Sequence, residues 1–387
     1  MRAKNVVILG STGSIGLSTL DVIRAHPNNF NVLGLTAFDD YQLLESQFHT
    51  YHPKYLGLVN SESCEALRKN LNGEEVEILT GEEINDVLGL KETDIVVNAV
   101  VGAAGLQFSY ETVFHKKILA LANKESMVVA GPILRKEAAK SGCRIIPIDS
   151  EHSAVFQILE SKRIADVKNI ILTASGGPFR ELPIEKFGDI TPERALNHPT
   201  WKMGRKISVD SATLVNKGLE IIEAVNLFDV PVEKVKVVIH PQSIIHSMVE
   251  FVDSSVLAQL SKPDMRMPIT YALFWPERTK SEFGAFDFSK PTSLTFEPPD
   301  MKKFPALKIA YDVAKLGGTA PAIFNAANEV AVAAFLEKAI SFVDITRIIE
   351  QTTSEVEIIE DPELEDVLEA DNLARQAAER MTGLPAC

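Results

Sequence analysis

Val6-Val7-Ile8-Leu9-Gly10-Ser11-Thr12-Gly13-Ser14-Ile15-Gly16 reads as a strand that runs into a glycine-rich turn and then a helix. Its four apolar residues show no polar alternation, as expected of a parallel strand covered on both faces. Glycines allow a tight turn and bring backbone N–H groups close to a pyrophosphate, and the following helix N-terminus adds partial positive charge. The spacing, G-x-x-G-x-x-G, is one residue away from the usual dinucleotide fingerprint. The bland alternative is a strand-to-helix turn that holds no ligand.

The surrounding pattern favours the nucleotide reading. Val32–Leu35, Tyr55–Leu58, Ile95–Ala99, Ile118–Leu121 and Ile145–Ile148 are further short apolar runs, separated by helical periods such as Leu17–Ala25 and Ser61–Asn70. Buried strands alternating with helices predict an α/β fold, a Rossmann-like doubly wound parallel sheet over residues 1–150. From about Glu151 the texture changes. Ile170–Thr173, Val235–Ile239 and Ile244–Phe251 mix with helices and Gly/Pro loops, which predicts an α+β middle domain over 151–285. Residues 286–311 read as a connecting segment. Ala306–Lys315, Ala322–Leu336, Phe342–Thr352 and Leu373–Met381 are helical, which predicts a helical bundle over 312–387. The acidic stretch Glu355–Asp371, free of Lys and Arg, reads as solvated surface.

Composition sets outer limits. The chain has 387 residues, 45% of them hydrophobic and 24% charged, enough apolar material for two or three cores. A net charge of −14 opposes general nucleic-acid binding and polybasic membrane contact, so no nucleic acid and no membrane is expected as a partner. An anionic substrate then needs a local pocket of donors. Cys64, Cys143 and Cys387 lie far apart without a C-x-x-C pair, which excludes a disulfide scaffold and fits a reducing cytoplasm. Met1–Lys4 is too short and polar for a signal peptide, and no apolar run approaches the 20 or so residues of a membrane span.

Several side chains carry chemistry. The run Ile145–Ile148 ends in Asp149-Ser150-Glu151-His152, and in an extended chain Asp149 and Glu151 face one side. Converging carboxylates suit Mg2+ or Mn2+, whereas a helix cap plus a first-turn acid is the structural alternative. In Asn216-Lys217-Gly218-Leu219-Glu220 the helical spacing puts Asn216, Lys217 and Glu220 on one face. Such a set suits a phosphate and a third metal carboxylate, or an exposed salt-bridged face. Ser175-Gly176-Gly177 follows a strand and offers backbone donors. Asn197–Lys206, with His198, Trp201 and Met203, lacks a secondary-structure period and reads as a flap over a charged substrate. Lys124 follows a buried strand at the same sheet edge as the glycine turn. After the second strand stand Ala37, Phe38, Asp39 and Asp40, where a carboxylate accepts from the ribose hydroxyls of NAD and a cation accepts the extra phosphate of NADP. Loop acids are the plain alternative there.

Together these segments resemble the 1-deoxy-D-xylulose 5-phosphate reductoisomerase family. The resemblance is ordered along nearly the whole chain, through Gly10–Gly16, Val101–Leu106, Ala122–Ser126, Pro147–His152, Thr173–Phe179, His198–Ser211, Val215–Glu223, His240–Met248 and Asn325–Glu329. It implies a homodimer that rearranges 1-deoxy-D-xylulose 5-phosphate and reduces the product to 2-C-methyl-D-erythritol 4-phosphate, the first committed step of non-mevalonate isoprenoid synthesis. It implies NADPH and Mn2+ or Mg2+ as cofactors. By matching position, Asp149, Glu151 and Glu220 are implied as metal ligands, and Lys124, Glu151 and His198 as catalytic. Substrate contacts are implied for Lys124, Ser150, Glu151, Ser175, His198, Trp201, Ser211, Asn216, Lys217 and Glu220. Cofactor contacts are implied for Thr12, Gly13, Ser14, Ile15, Ala37, Phe38, Asp39, Asn123, Glu125, Met203 and Gly204. One stretch departs: the family usually has a small residue, a Lys or Arg, and an Asn where this chain has Phe38, Asp39 and Asp40. That departure adds NADH as an alternative.

Two rivals stand beside this reading. A metal-independent NAD(P)-dependent dehydrogenase of another metabolite leaves the three carboxylates without a role. A non-catalytic nucleotide-sensing protein predicts loss of Lys124, Asp149, Glu151 or Glu220, and all four are present.

Overall fold

The computed structural model describes residues 2–198, 200–201 and 203–383. Pro199 and Lys202 of the expected flap, and Cys387, lie outside the described residues. Packing divides the chain into two compact units. The first comprises residues 1–123, 134–153 and 264–284, and the second comprises 124–133, 154–263 and 285–387.

The first unit is built on a seven-stranded parallel sheet. Its strands are β1 (Lys4–Leu9), β2 (Phe30–Ala37), β3 (Tyr55–Leu58), β4 (Glu77–Thr80), β5 (Ile95–Asn98), β6 (Ile118–Leu121) and β7 (Ile145–Pro147), in the order β4-β3-β2-β1-β5-β6-β7. The order reverses beside β1, which pairs with β2 on one side and β5 on the other. In open α/β sheets ligands bind outside the carboxyl ends of the strands at such a reversal. Val6, Val7, Ile8 and Leu9 are buried, which is why the run lacks polar alternation. Strand β4, with only Ile78 and Leu79 apolar, escapes the sequence pattern because it is a short edge strand.

Residues 264–284 belong to this unit, whereas the limits expected from sequence place them in a domain spanning 151–285. The cause is packing. The helix Arg266–Phe274 sets Phe274 edge-on against both His26 and Phe30, with ring centroids 4.9 Å apart in each pair. Lys4 also reaches the Leu273 carbonyl.

The second unit holds a four-stranded mixed sheet of β8 (Val167–Ala174), β9 (Val235–Ile239), β10 (Ile245–Phe251) and β11 (Val256–Leu260), in the order β11-β10-β8-β9. Strand β10 runs antiparallel to β8 and β11, and β8 runs parallel to β9. The helices Ala306–Leu316, Ala320–Leu336, Phe342–Glu355 and Leu364–Thr382 complete the unit. Their core joins Phe324, Phe335, Phe342, Ile345 and Ile348 to Val209, Val215 and Leu219 from the helices Arg205–Thr213 and Val215–Phe228. The expected helical block therefore shares one hydrophobic core with these two helices. The last helix begins nine residues before the predicted Leu373, because acidic residues hide the buried Val367 and Ala370. Otherwise Glu355–Asp371 is mainly solvated, as expected.

Candidate active site

In the first unit the glycine turn is tied to β2. The Ser11 backbone N–H donates to the Thr36 carbonyl at 2.7 Å, and the Gly10 N–H donates to Thr36 Oγ1 at 3.2 Å. Gly10 has φ +77°, and a Cβ there would lie 2.8 Å from the Ala99 carbonyl oxygen. At Gly16 a Cβ would lie 2.4 Å from the Gly10 oxygen, so helix and strand pack too closely for any side chain. The helix Ser14–Ala25 starts after Gly13, which gives no side-chain cap. Its first N–H groups thus suit an anionic diphosphate, and the residues present fit a dinucleotide. Thr12, Gly13, Ser14 and Ile15 line this turn. Asn123 is buried, and its amide donates to the Val100 and Gly102 carbonyls at 2.8 Å each, which holds the loop after β5.

At the end of β2, Ala37 is buried and Phe38 is 65% exposed. Asp40 caps the helix Tyr41–Tyr51, its Oδ1 accepting from the Leu43 N–H at 3.1 Å. Asp39 is exposed.

Asp149 and Glu151 also lie in the first unit, but strand alternation does not align them. Strand β7 ends at Pro147, and the helix Ser150–Leu159 has already begun at Ser150. Asp149 Oδ1 accepts from the Glu151 N–H at 3.2 Å and lies 3.2 Å from His152 Nδ1. The cap anticipated as a structural alternative is therefore real, and it positions both acids at one helix end. Ser150 Oγ donates to Glu151 Oε2 at 2.5 Å. Half-buried carboxylate oxygens of this kind fit a hard divalent cation.

In the second unit, four of the expected residues converge. Lys124 Nζ lies 3.0 Å from both Glu220 Oε1 and Asn216 Oδ1, Asn216 Nδ2 donates to Glu220 Oε1 at 2.6 Å, and Lys217 pairs with Glu220 Oε2. Asn216, Lys217 and Glu220 share one face of the helix Val215–Phe228, as their spacing predicts. The face is not exposed: Lys124, Lys217 and Glu220 are 6%, 3% and 1% accessible. Lys124 is set opposite by close helix contact. Gly131 admits Asn226, whose Cβ lies 2.5 Å from where a Cβ of residue 131 would stand, and Asn226 donates to the Met127 carbonyl at 2.7 Å.

His198 meets Ser175 in the same unit. Its Nδ1 accepts from the backbone N–H groups of Thr200 and Trp201 at 3.2 and 3.0 Å, so the neutral ring carries its proton on Nε2. That N–H faces Ser175 Oγ at 3.1 Å. Burial lowers the His198 pKa from its ordinary value. The turn after Ser175 uses φ +86° at Gly176 and +69° at Gly177, and a Cβ on Gly177 would lie 2.6 Å from the Ser211 carbonyl. Ser211 thus sits beside this turn, in the helix Arg205–Thr213. The described residues among 197–204 have no helix or strand, whereas Arg205 and Lys206, the end of the expected flap, are helical. Gly204 opens that helix, Met203 precedes it, and Trp201 packs toward His246 with ring centroids 6.5 Å apart.

A buried network was not foreseen. Lys206 Nζ pairs with Asp210 Oδ2 at 2.8 Å and with Glu125 Oε1 at 3.0 Å, and Asp210 Oδ1 accepts from Asn328 at 2.8 Å. Glu329 accepts from Arg375 at 2.7 Å and from Asn325 at 3.0 Å. Burial alone disfavours the Lys206 charge, but Asp210 and Glu125 outweigh it and raise the pKa. Glu125, expected at the cofactor, is engaged with this lysine. The i,i+4 spacing of Lys206 and Asp210 was the available signal.

Three family profiles match the chain. One described as 1-deoxy-D-xylulose 5-phosphate reductoisomerase covers residues 6–131, and its C-terminal domain covers 145–228. A third, the DXP reductoisomerase C-terminal domain, covers 260–377. Curated relatives called 1-deoxy-D-xylulose 5-phosphate reductoisomerase from Chlorobaculum tepidum and Chlorobium limicola are each 50% identical over 381 residues, covering 98% of this chain and 100% of the relative. The solved reductoisomerase from Zymomonas mobilis in complex with NADPH superposes with a TM-score of 0.90 at 42% identity, over 99% of this chain and 100% of that one. A DOX-P reductoisomerase structure with NADPH, fosmidomycin and magnesium gives 0.92 at 40% identity, over 98% of each chain. The chain belongs to the 1-deoxy-D-xylulose 5-phosphate reductoisomerase family.

Proposed function

We propose that this chain converts 1-deoxy-D-xylulose 5-phosphate to 2-C-methyl-D-erythritol 4-phosphate, using a reduced nicotinamide cofactor and a divalent metal ion. NADPH is the cofactor held in the solved relatives. The observation that carries the reading is the buried cluster of Lys124, Asn216 and Lys217 on Glu220. A metal-independent dehydrogenase leaves the carboxylates of Asp149, Glu151 and Glu220 without a role.

The roles are those that the family resemblance implies, and the chemistry of each group supports them. Asp149, Glu151 and Glu220 are the proposed metal ligands. Bound Mn2+ or Mg2+ supplies Lewis-acid polarisation of the substrate's carbonyl and hydroxyl oxygens, and the nicotinamide supplies hydride for the final reduction. Lys124 stabilises negative charge developing on a substrate oxygen. Ser175, Ser211, Asn216 and Lys217 hold the phosphate, and His198, with its proton on Nε2, donates at the same place. Ser150 contacts the substrate beside Glu151. Trp201 and Met203 cover the reacting atoms and exclude water. Thr12, Gly13, Ser14, Ile15, Ala37, Phe38, Asp39, Asn123, Glu125 and Gly204 are the proposed cofactor set, with Glu125 acting through Lys206.

We place the enzyme in the cytoplasm as a homodimer. Cys64 and Cys143 are buried free thiols, and among the described residues no helix is long and apolar enough to cross a membrane. The dimer is supported by edge strand β11, where Val256 and Leu257 are 49% and 45% exposed. The test is cofactor oxidation by purified protein with 1-deoxy-D-xylulose 5-phosphate and Mn2+. Turnover abolished by a chelator is expected, and chelator-resistant turnover or none at all overturns the assignment.

A further inference from the structure

We infer that Lys206 is a positioning residue for the proposed reaction: it clamps the turn that carries Lys124 to the helix that carries Ser211, and so fixes the charge-stabilising ammonium relative to the phosphate-holding hydroxyl. The inference rests on the roles proposed for Lys124 and Ser211.

The clamp consists of one ammonium and two carboxylates within the second unit. Lys206 Nζ lies 3.0 Å from Glu125 Oε1 and 2.8 Å from Asp210 Oδ2. Glu125 follows Lys124 in the first turn of the helix that starts at Lys124. Asp210 precedes Ser211 in the helix Arg205–Thr213. The groups that Lys206 binds are therefore the immediate neighbours of the two residues assigned to the substrate. Each side of the clamp has a further tie. Asp210 Oδ1 accepts from Asn328 at 2.8 Å, on the helix Ala320–Leu336. Asn226 donates to the Met127 carbonyl at 2.7 Å. One tie at Glu125 and one at Met127 thus fix the backbone that presents Lys124 to Glu220.

Helix stabilisation explains Lys206 poorly. It stands in the first turn of its helix, which holds no acid, and a cation there opposes the helix dipole. A lysine four residues before an acid is also the less favourable order of an i,i+4 pair. The group is withdrawn from water: the side chains of Lys206, Glu125 and Asp210 are 16%, 10% and 2% accessible. Burial opposes the ammonium, whereas Asp210 and Glu125 outweigh it and keep the lysine charged. What such a cation gains for the protein is the fixed place of Glu125, on another element.

The test compares Lys206→Met with Lys206→Arg, and takes Arg375→Met as a control for stability. Arg375 pairs with Glu329 and Asp371, so its loss weakens the buried network without opening the clamp. Rates are measured with 1-deoxy-D-xylulose 5-phosphate, Mn2+ and saturating NADPH. Misplacing a reacting group by about 1 Å lowers the rate on the order of a hundredfold, so Lys206→Met is expected to lower kcat by about that factor with little change in the KM for the sugar phosphate. Lys206→Arg, which keeps the charge and the donors, is expected to recover most of the loss. Arg375→Met is expected to lower the urea midpoint and keep kcat. A second readout needs no turnover: labelling of Lys124 in metal-free protein by an amine-reactive ester, followed by peptide mass spectrometry. Lys124 is expected to label slowly in the parent and in Arg375→Met, and several-fold faster in Lys206→Met. Lys206→Gln replaces Lys206→Met throughout if the latter does not fold. Unchanged labelling in Lys206→Met, a loss confined to KM, or equal falls of kcat in Lys206→Met and Arg375→Met overturns the inference. An inactive parent removes the proposed reaction, and the labelling of Lys124 then decides the clamp by itself.

Discussion

Lys124 Nζ lies 3.0 Å from Glu220 Oε1, with both side chains withdrawn from solvent. Lys217 takes the other oxygen of the same carboxylate. One carboxylate thus holds two ammonium groups in fixed positions, where their remaining N–H groups are set to donate to an anionic substrate.

Glu220→Gln tests this arrangement. It takes from Lys124 and Lys217 the carboxylate that both of them bind. Breaking a buried ion pair from one side costs on the order of 3–5 kcal/mol, so a clear fall in the urea midpoint is expected together with loss of Mn2+-dependent turnover. A variant as stable as the parent contradicts the two-lysine arrangement. Normal turnover at low metal concentration contradicts the ligand role of Glu220.

Much of this site was legible in the sequence because its spacing is local. Asn216, Lys217 and Glu220 announce a shared helical face, and Gly10–Gly16 announces the turn after β1. What sequence leaves open is burial, since the same i,i+3 and i,i+4 pairs decorate exposed helices. Asp149 and Glu151 were identified as a pair but through the wrong geometry: the helix begins earlier than the apolar run suggests. Strand β11 was missed although Asp253-Ser254-Ser255 separates two apolar runs, a hairpin signal. The Lys206 network was missed because Asn328, Glu329 and Arg375 reach it from far along the chain.

His198 is expected to stay neutral to lower pH than a free imidazole. Its Nδ1 already accepts two backbone N–H groups, so protonation there breaks both bonds, and burial opposes the charge as well. The folded pKa lies below the unfolded value, so the unfolded chain binds the extra proton. This group's contribution to stability is full above about pH 6.5 and falls away as pH drops below it. Imidazole NMR shifts across pH 4.5–8 check the point. A midpoint at or above 6.5 would refute it.

Gly16→Ala separates a steric requirement from mere glycine flexibility. A Cβ at 2.4 Å from the Gly10 oxygen forces the turn and helix apart, with a stability loss of about 1–3 kcal/mol. Weaker binding of either nicotinamide cofactor is expected alongside it. Gly188→Ala serves as the control, because nothing lies within 4 Å of its Cβ and its φ is ordinary. That variant is expected within about 0.5 kcal/mol of the parent. Equal losses in both variants contradict the close-packing account.

Strand β11 is expected to hold the dimer. It is the outer strand of its sheet, pairing with β10 on one side only. Val256, Leu257 and Ala258 are all exposed, so apolar groups on both faces of the strand face solvent together with unpaired backbone groups. A long apolar edge left open invites aggregation, and a second copy of the strand covers it. Leu257→Asp puts charge at that edge without touching the lysine cluster. Sedimentation velocity at micromolar concentration is expected to show a dimer for the parent and a monomer for the variant. A monomeric parent removes the homodimer, whereas a variant that stays dimeric moves the contact to another face.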